Sequence, residues 1–298
     1  MIMITLPEKD RKHGRLEARI PAIASSQEWA AARGRLLVNG PSQRMFLGVA
    51  ALLFASCAAV TIVWCGSMSA MGAMPMPGGW TMSMAWMRMP GQSWPAAVAS
   101  FLGMWVVMMV AMMLPSLAPA LWRYRQAIYA KRETRLDRLT VLAAAGYFAV
   151  LSGVGVVAYP LGIVLTVVEM QHAALARVVP VAAGFIVLIA GALQFTPWKA
   201  RHLACCRQGA PHGDTTTVTA GTAWRYGLRL GRHCSCCCFG MTAILLTGGV
   251  MNMGTMAVVT AAVTVERLAP AGERIARALG FVIVGAGLCL IARASKLF

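Results

Sequence analysis

The chain has 298 residues, 58% of them hydrophobic and only 12% charged, and a formal net charge of +17. Soluble domains carry about 25% charged residues, so this composition excludes an ordinary water-soluble globular protein. The basic excess raises the question of nucleic acid, and its distribution along the chain argues against it.

Six apolar runs lie at roughly 45–65, 95–121, 139–168, 178–196, 238–265 and 275–292. Each is near or above the about 20 residues that cross a bilayer as a helix. Backbone groups in lipid must bond within their own segment, so the expected fold class is all-α, a polytopic helical membrane protein with about six transmembrane helices. With the N-terminus inside, segments 1–44, 122–138, 197–237 and 293–298 hold 22 of the 27 Lys and Arg residues. Arg88, Arg177, Arg267, Arg274 and Arg277 are then left outside. This positive-inside asymmetry predicts a multi-pass protein of the cell inner (plasma) membrane, with both termini cytoplasmic. The lipid bilayer, through its acidic headgroups, is the expected partner of the basic excess, and nucleic acid is not.

In chain order, residues 1–44 form a basic cytoplasmic segment with no cleavable signal pattern. Its stretch RLEARIPAIASSQEWAAARGRLL reads either as a broken amphipathic helix on the membrane surface or as a tail. Residues 45–298 read as one transmembrane domain. Its outer loop, 66–94, is Met-rich, with Met68, Met71, Met74, Met76, Met82, Met84, Met87 and Met89 among Gly, Pro, Ser and Trp. Thioethers are soft neutral ligands suited to Cu(I), and they do not form disulfides on an oxidising face. The competing reading is a loop that dips into lipid.

The second span reads FLGMWVVMMVAMMLPSLAP. Met104, Met108 and Met112 are spaced i, i+4, i+8, with Met109 and Met113 as a second pair, so the sulfurs share one broad helical stripe. Pro115 is expected to interrupt the helix. Packing and a copper path both account for such a stripe. The third span, at about 30 residues, is expected to bend at Tyr159-Pro160.

The inner segment 197–237 is Cys-rich. Cys205, Cys206 and His202 follow the fourth span, while His233, Cys234, Cys236, Cys237 and Cys238 sit at the expected cytoplasmic mouth of the fifth. A reducing cytosol argues against a structural disulfide. Arg207, Arg225, Arg229 and Arg232 would favour thiolate, the metal-binding form. Adjacent cysteines fit a two- or three-coordinate Cu(I) site, completed by Cys205 or Cys206, better than a four-coordinate zinc knuckle. Copper as Cu(I) is therefore the expected metal, and zinc ranks behind it. Within the fifth span Met251, Asn252, Met253 and Met256 place three thioethers and an amide at membrane depth. The amide serves either as helix–helix glue or at the metal path. Gly248-Gly249 would let this helix unwind. Glycines in the last two spans allow close packing, and a homo-oligomer stays open.

The segments MWVVMMVAMMLPS, QFTPWKARHLACC, CSCCCFGM and GGVMNMGTMAVVTAAVTVERLAP resemble a bacterial family of uncharacterised, predicted metal-binding integral membrane proteins, over about residues 95–292. The resemblance implies a helical membrane protein with suspected metal binding and no settled activity. The extra cysteine and the longer Met-rich loop depart from the family pattern. By analogy alone, outer methionines with inner thiols are similar to the eukaryotic copper-uptake channels.

No phosphate loop, dinucleotide fingerprint, nucleophile elbow or H-E-x-x-H occurs, so no enzyme and no ATP-driven pump is expected. The expected function is binding and translocation of Cu(I). The alternatives are a membrane metallochaperone delivering copper to a partner protein, and a thiol redox or metal sensor.

Overall fold

Apolar segments that must close their own backbone hydrogen bonds give helices, and helices dominate the computed structural model. It describes residues 41–70, 74–76, 80–82, 86, 88, 91–130, 135–208 and 219–295. Among these are eight helices: α1 (Pro41–Ala70), α2 (Trp94–Ala130), α3 (Leu136–Gln171), α4 (Ala173–Leu193), α5 (Pro197–Gln208), α6 (Ala220–Thr247), α7 (Met253–Leu268) and α8 (Gly272–Ala294). A small hairpin of β1 (Met74–Met76) and β2 (Trp80–Met82), with Met74 opposite Met82, follows α1. Met1–Arg44 is a unit apart from Met45–Phe298. The amphipathic stretch expected in the N-terminal segment lies outside the described residues, as do Met71, Met84, Met87 and Met89 of the outer loop.

Six helices (α1 to α4, α6 and α8) are long and apolar enough to cross a membrane. Leu52 and Val63 on α1 are each 72% exposed. Outward-facing aliphatic residues of that kind need an apolar surrounding.

The expected break at Pro115 is absent. α2 continues through Pro115 and Pro119 to Ala130. Membrane-type helices tolerate an interior proline when neighbouring groups take up the freed backbone atoms. The Ser116 hydroxyl beside Pro115 donates to the Met113 carbonyl at 3.0 Å, a bond separate from the carbonyls of Ala111 and Pro115 that the two prolines free.

The fifth span differs more. The run 238–265 is two helices, broken at Gly248–Asn252, where Gly249 takes a left-handed φ of 93°. Asn252 caps α7, its Oδ1 accepting the Thr255 amide at 3.0 Å. Upstream, α6 begins at Ala220, well before the apolar run does. Much of the inner segment 197–237 is thus helix, α5 and the first half of α6, and the cysteine cluster lies in mid-helix and not at a loop mouth.

Contacts fix the directions. Trp105 Nε1 donates to the Leu151 carbonyl at 3.0 Å and Phe101 stacks on Tyr159 at 4.6 Å, so α2 and α3 are antiparallel. α6 runs parallel to α3: a Cβ on Gly146 would meet the Trp224 carbonyl at 2.6 Å, and one on Gly231 would meet the Tyr147 carbonyl at 2.8 Å. α8 is antiparallel to α4, with Gly280 against Gln194 and Gly184 against Ile291. Helices α1, α3, α6 and α8 therefore run one way, and α2, α4 and α7 the other.

The described chain consequently enters and leaves the bundle at opposite ends. Two cytoplasmic termini, expected from six crossings, do not follow from this arrangement, because the returning arm α7 adds a reversal. Arg274 and Arg277, assigned above to the outer side, belong to the end of α8 that meets Gln194, the same end as the basic inner segments.

The α3–α6 contact should be the stability determinant of this bundle. A Cβ on Gly227 has no room beside the Ala143 carbonyl, whereas Gly103 faces open space. Gly227→Ala is expected to cost roughly 1–3 kcal/mol of overpacking. Thermal unfolding in detergent should show a lowered midpoint for this variant and none for Gly103→Ala.

Candidate metal centre

Residues 234, 237, 238, 241 and 245 recur at i, i+3, i+4, i+7 and i+11, which places them on one stripe of a 3.6-residue helix. Cys234, Cys237, Cys238, Met241 and Leu245 are accordingly all buried. The helix that carries them starts at a capping box, in which the Thr219 hydroxyl accepts the Thr222 amide and Thr222 returns the bond. Cys236 lies off the stripe and is half-buried.

Helix α5 packs against this stripe and supplies Cys206, buried, while its neighbour Cys205 is exposed. Cys206 Sγ lies 3.8 Å from Cys237 Sγ, and Cys237 Sγ lies 3.7 Å from Cys238 Sγ. The hydrogen bond with Cys237, and then burial, hold the Cys206 thiol well above its ordinary pKa. Cys234 is engaged elsewhere, 2.8 Å from the fully buried Tyr147 hydroxyl.

The returning arm α7 brings charge to the sulfurs. One terminal nitrogen of Arg267 is 3.4 Å from Cys237 Sγ, 3.5 Å from Cys238 Sγ and 3.9 Å from Cys206 Sγ. The other donates to the Ser116 hydroxyl at 3.1 Å, and Nε has no partner among the described residues. Beside it, Glu266 accepts from Lys199 of α5 through both carboxylate oxygens, at 2.8 and 2.9 Å. Lys199 also donates to Gln194. Burial pushes the Glu266 carboxyl above its ordinary pKa, and the Lys199 charge opposes that shift.

Two half-buried histidines stand at the rim, with Nδ1 of His202 and Nδ1 of His233 3.0 Å apart. On the far side of the centre the methionine stripe of α2 is buried as a set: Met104, Met108, Met109, Met112 and Met113. Met256 of α7 joins the same core. Met251 lies at the helix break, its sulfur 3.7 Å from Cys65 Sγ of α1. Asn252 beside it is exposed and spends its side-chain oxygen on the α7 cap, so it faces away from the sulfurs.

Of the sequence candidates, then, Cys206, Cys234, Cys237 and Cys238 converge, His233 is at the rim, and Cys205 and Cys236 are apart. Four contributors escaped the sequence reading: Arg267, Lys199, Glu266 and Tyr147. Arg267, next to Glu266 in sequence, is assigned above to the outer side. Nothing short of the break at Gly248–Asn252 would have turned them inward.

The geometry has a coordination preference. With a metal–thiolate bond of about 2.3 Å, two sulfurs on one ion stand roughly 3.7 Å (tetrahedral) to 4.6 Å (linear) apart. Both thiol pairs lie at the short, tetrahedral end of that range, so their spacing by itself does not select a linear ion. Among the described residues, no three His, Cys, Asp or Glu side chains converge as a ready metal site. Thiol sulfur suits a soft ion, and the donors near Cys237 (Cys206 and Cys238) are too few among the described residues for a four-coordinate zinc knuckle.

A family model described as PpoB2, copper chaperone, matches residues 102–290. That stretch runs from the methionine stripe through α8 and contains every residue of the thiol centre. No curated protein and no solved structure matches the chain.

The Lys199–Glu266 pair gives a stability test. Removing one partner of a buried pair costs about 3–5 kcal/mol, while replacing both with apolar residues is close to neutral. Thermal unfolding in detergent should rank Lys199→Met far below wild type, with the Lys199→Met/Glu266→Leu double variant recovering most of the loss.

Proposed function

The chain belongs to the PpoB2 copper chaperone family, and we propose that it holds Cu(I) as cargo on Cys206 and Cys237, with Cys238 as a third donor, for delivery to a copper-binding partner protein. The supporting observation is the pair of sulfurs 3.8 Å apart on two different helices, faced by a guanidinium. A thiol pair shared between helices opens by a small helix shift, which gives a carrier its route to release. The proposed role is that of a carrier and not of an enzyme. Its proposed setting is the inner membrane, with the basic ends of the helices toward the cytoplasm.

Arg267 has a defined part in this reading. Without cargo, the guanidinium supplies the positive charge that buried sulfurs require. With Cu(I) bound to the sulfurs, Ser116 remains as its hydrogen-bond acceptor.

A second reading, translocation, is favoured by one observation. The buried thioethers Met104, Met108, Met109, Met112 and Met113 link the Cys65–Met251 contact to the thiol centre within one core. Thioethers carry no charge, so a continuous series of them offers a monovalent soft ion successive ligands in a dry interior.

Two measurements separate the possibilities. Purified protein titrated with Cu(I) anaerobically, against a chromophoric chelator, is expected to hold at least one ion tightly. The Cys206→Ser/Cys237→Ser variant should lose about tenfold or more in affinity, at 1.4 kcal/mol per decade. The Cys57→Ser/Cys289→Ser variant should bind as wild type does, and equal binding by all three would overturn the assignment. In proteoliposomes, copper flux that falls in Met108→Leu/Met112→Leu would establish translocation, and binding without flux would establish the carrier.

A further inference from the structure

Helices α5 and α6 face each other through two matched pairs at the same spacing. His202 and Cys206 are four residues apart on one helix, and His233 and Cys237 are four apart on the other. The pairs meet as rungs: His202 to His233 at 3.0 Å, and Cys206 to Cys237 at 3.8 Å. Four residues of helix rise about 6 Å, so one rung lies roughly a turn from the other. The cysteine rung is buried, at 6% and 4% exposure, and the histidine rung is half-buried.

We propose that His202 and His233 form a second, weaker Cu(I) site, a vestibule through which the ion passes between the buried thiols and an acceptor. The inference rests on the thiol reading above. Imidazole is a good ligand for copper and is neutral when it binds metal. Two nitrogens on one ion, with bonds of about 2.0 Å, stand roughly 3.3 Å (tetrahedral) to 4.0 Å (linear) apart, so the Nδ1 pair, at 3.0 Å, needs to open by only a few tenths of an ångström to hold one. Without metal the contact is a hydrogen bond, one ring donating to the other. The ring of Trp198, 4.8 Å from the ring of His202, backs the rung from the helix start. Exposed Arg201, Arg229 and Arg232 surround this rim, so a divalent cation meets more repulsion there than a monovalent one.

Movement along the ladder is a ligand exchange with no redox step. Cu(I) gains an imidazole nitrogen as it loses a thiolate sulfur, and the freed thiolate regains Arg267 as its counter-charge. The ion need never leave the protein bare, because the next rung is about one helical turn away.

The test uses full-length protein in detergent, loaded with one Cu(I) and mixed anaerobically with a chromophoric bidentate Cu(I) chelator. His202→Ala/His233→Ala is expected to keep the equilibrium affinity within about threefold while slowing transfer, in both directions, by about tenfold. Unchanged transfer rates would overturn the vestibule. So would a parallel collapse of affinity, since the histidines would then belong to the tight site itself. A second measurement is made on Cys206→Ser/Cys237→Ser. Residual weak Cu(I) binding with only nitrogen or oxygen neighbours by X-ray absorption, abolished by removing both histidines, supports the second site, and its absence counts against it. If wild type binds Cu(I) tightly but the cysteine variant binds equally well, the thiol reading is what has failed, and the ladder falls with it.

Discussion

A guanidinium carried into the middle of an apolar bundle must find counter-charge, and in this protein the groups that face it are three cysteine sulfurs and one hydroxyl. Arg267 lies within 3.5 Å of two cysteines and 3.9 Å of a third. Burying one ion costs several kcal/mol even after relaxation. Its placement therefore depends on features well removed from it. The left-handed Gly249 and the Asn252 cap reverse the chain so that α7 returns into the bundle. Glu266, dragged in beside Arg267, is neutralised by Lys199 from α5. That same helix presents Cys206 two turns further on. One reversal of the chain thus brings the cation to the sulfurs, and the Lys199 that neutralises its neighbour comes from the helix that carries Cys206.

The arrangement also bears on which ion the centre takes. Cu(I) and a guanidinium carry the same single charge, so exchanging one for the other at the sulfurs leaves the local balance as it was. A divalent ion arriving beside Arg267 would add a second unit of charge to the same few ångströms. At an effective dielectric of 20, two unit charges 4 Å apart repel by about 4 kcal/mol. For the cargo proposed above, the resident cation thus favours a monovalent ion over a divalent one. That preference is independent of the family match, which covers residues 102–290.

Much of this was legible in the sequence, and the remainder had physical reasons to be hidden. The five methionines of α2 share a stripe because residues four apart share a helix face, and all five are buried. The cysteine cluster announced itself by composition. The start of α6 did not, because Arg225, Arg229 and Arg232 lower its hydropathy. Yet their spacing was informative: they alternate with Ala223, Gly227, Leu230 and Cys234, the buried stripe of one amphipathic helix. The break at Gly248–Asn252 was the real obstacle. Two glycines within an apolar run are common packing residues in membrane helices, and only the positive φ of Gly249 distinguishes a reversal from a contact. What hangs on the reversal was consequently misplaced: the side of Arg267 and the end of the bundle where α8 stops.

The three kinds of soft ligand are ordered by what their burial costs. A thioether is neutral and can be desolvated freely, and the methionines of α2 occupy the dry core without any polar partner. A thiol that must ionise to bind metal needs a cation, and the buried thiol pair occurs where α7 delivers Arg267. An imidazole binds metal as a neutral group but must find a hydrogen-bond partner for its other nitrogen, and the two histidines stay half-buried at the rim where water can serve. The sequence of environments from rim to core is set by solvation, and a soft ion moving along it would meet each ligand at a depth where that ligand is stable unmetallated. A site that is stable both empty and full is what a carrier requires, since it must exist in both states on every cycle.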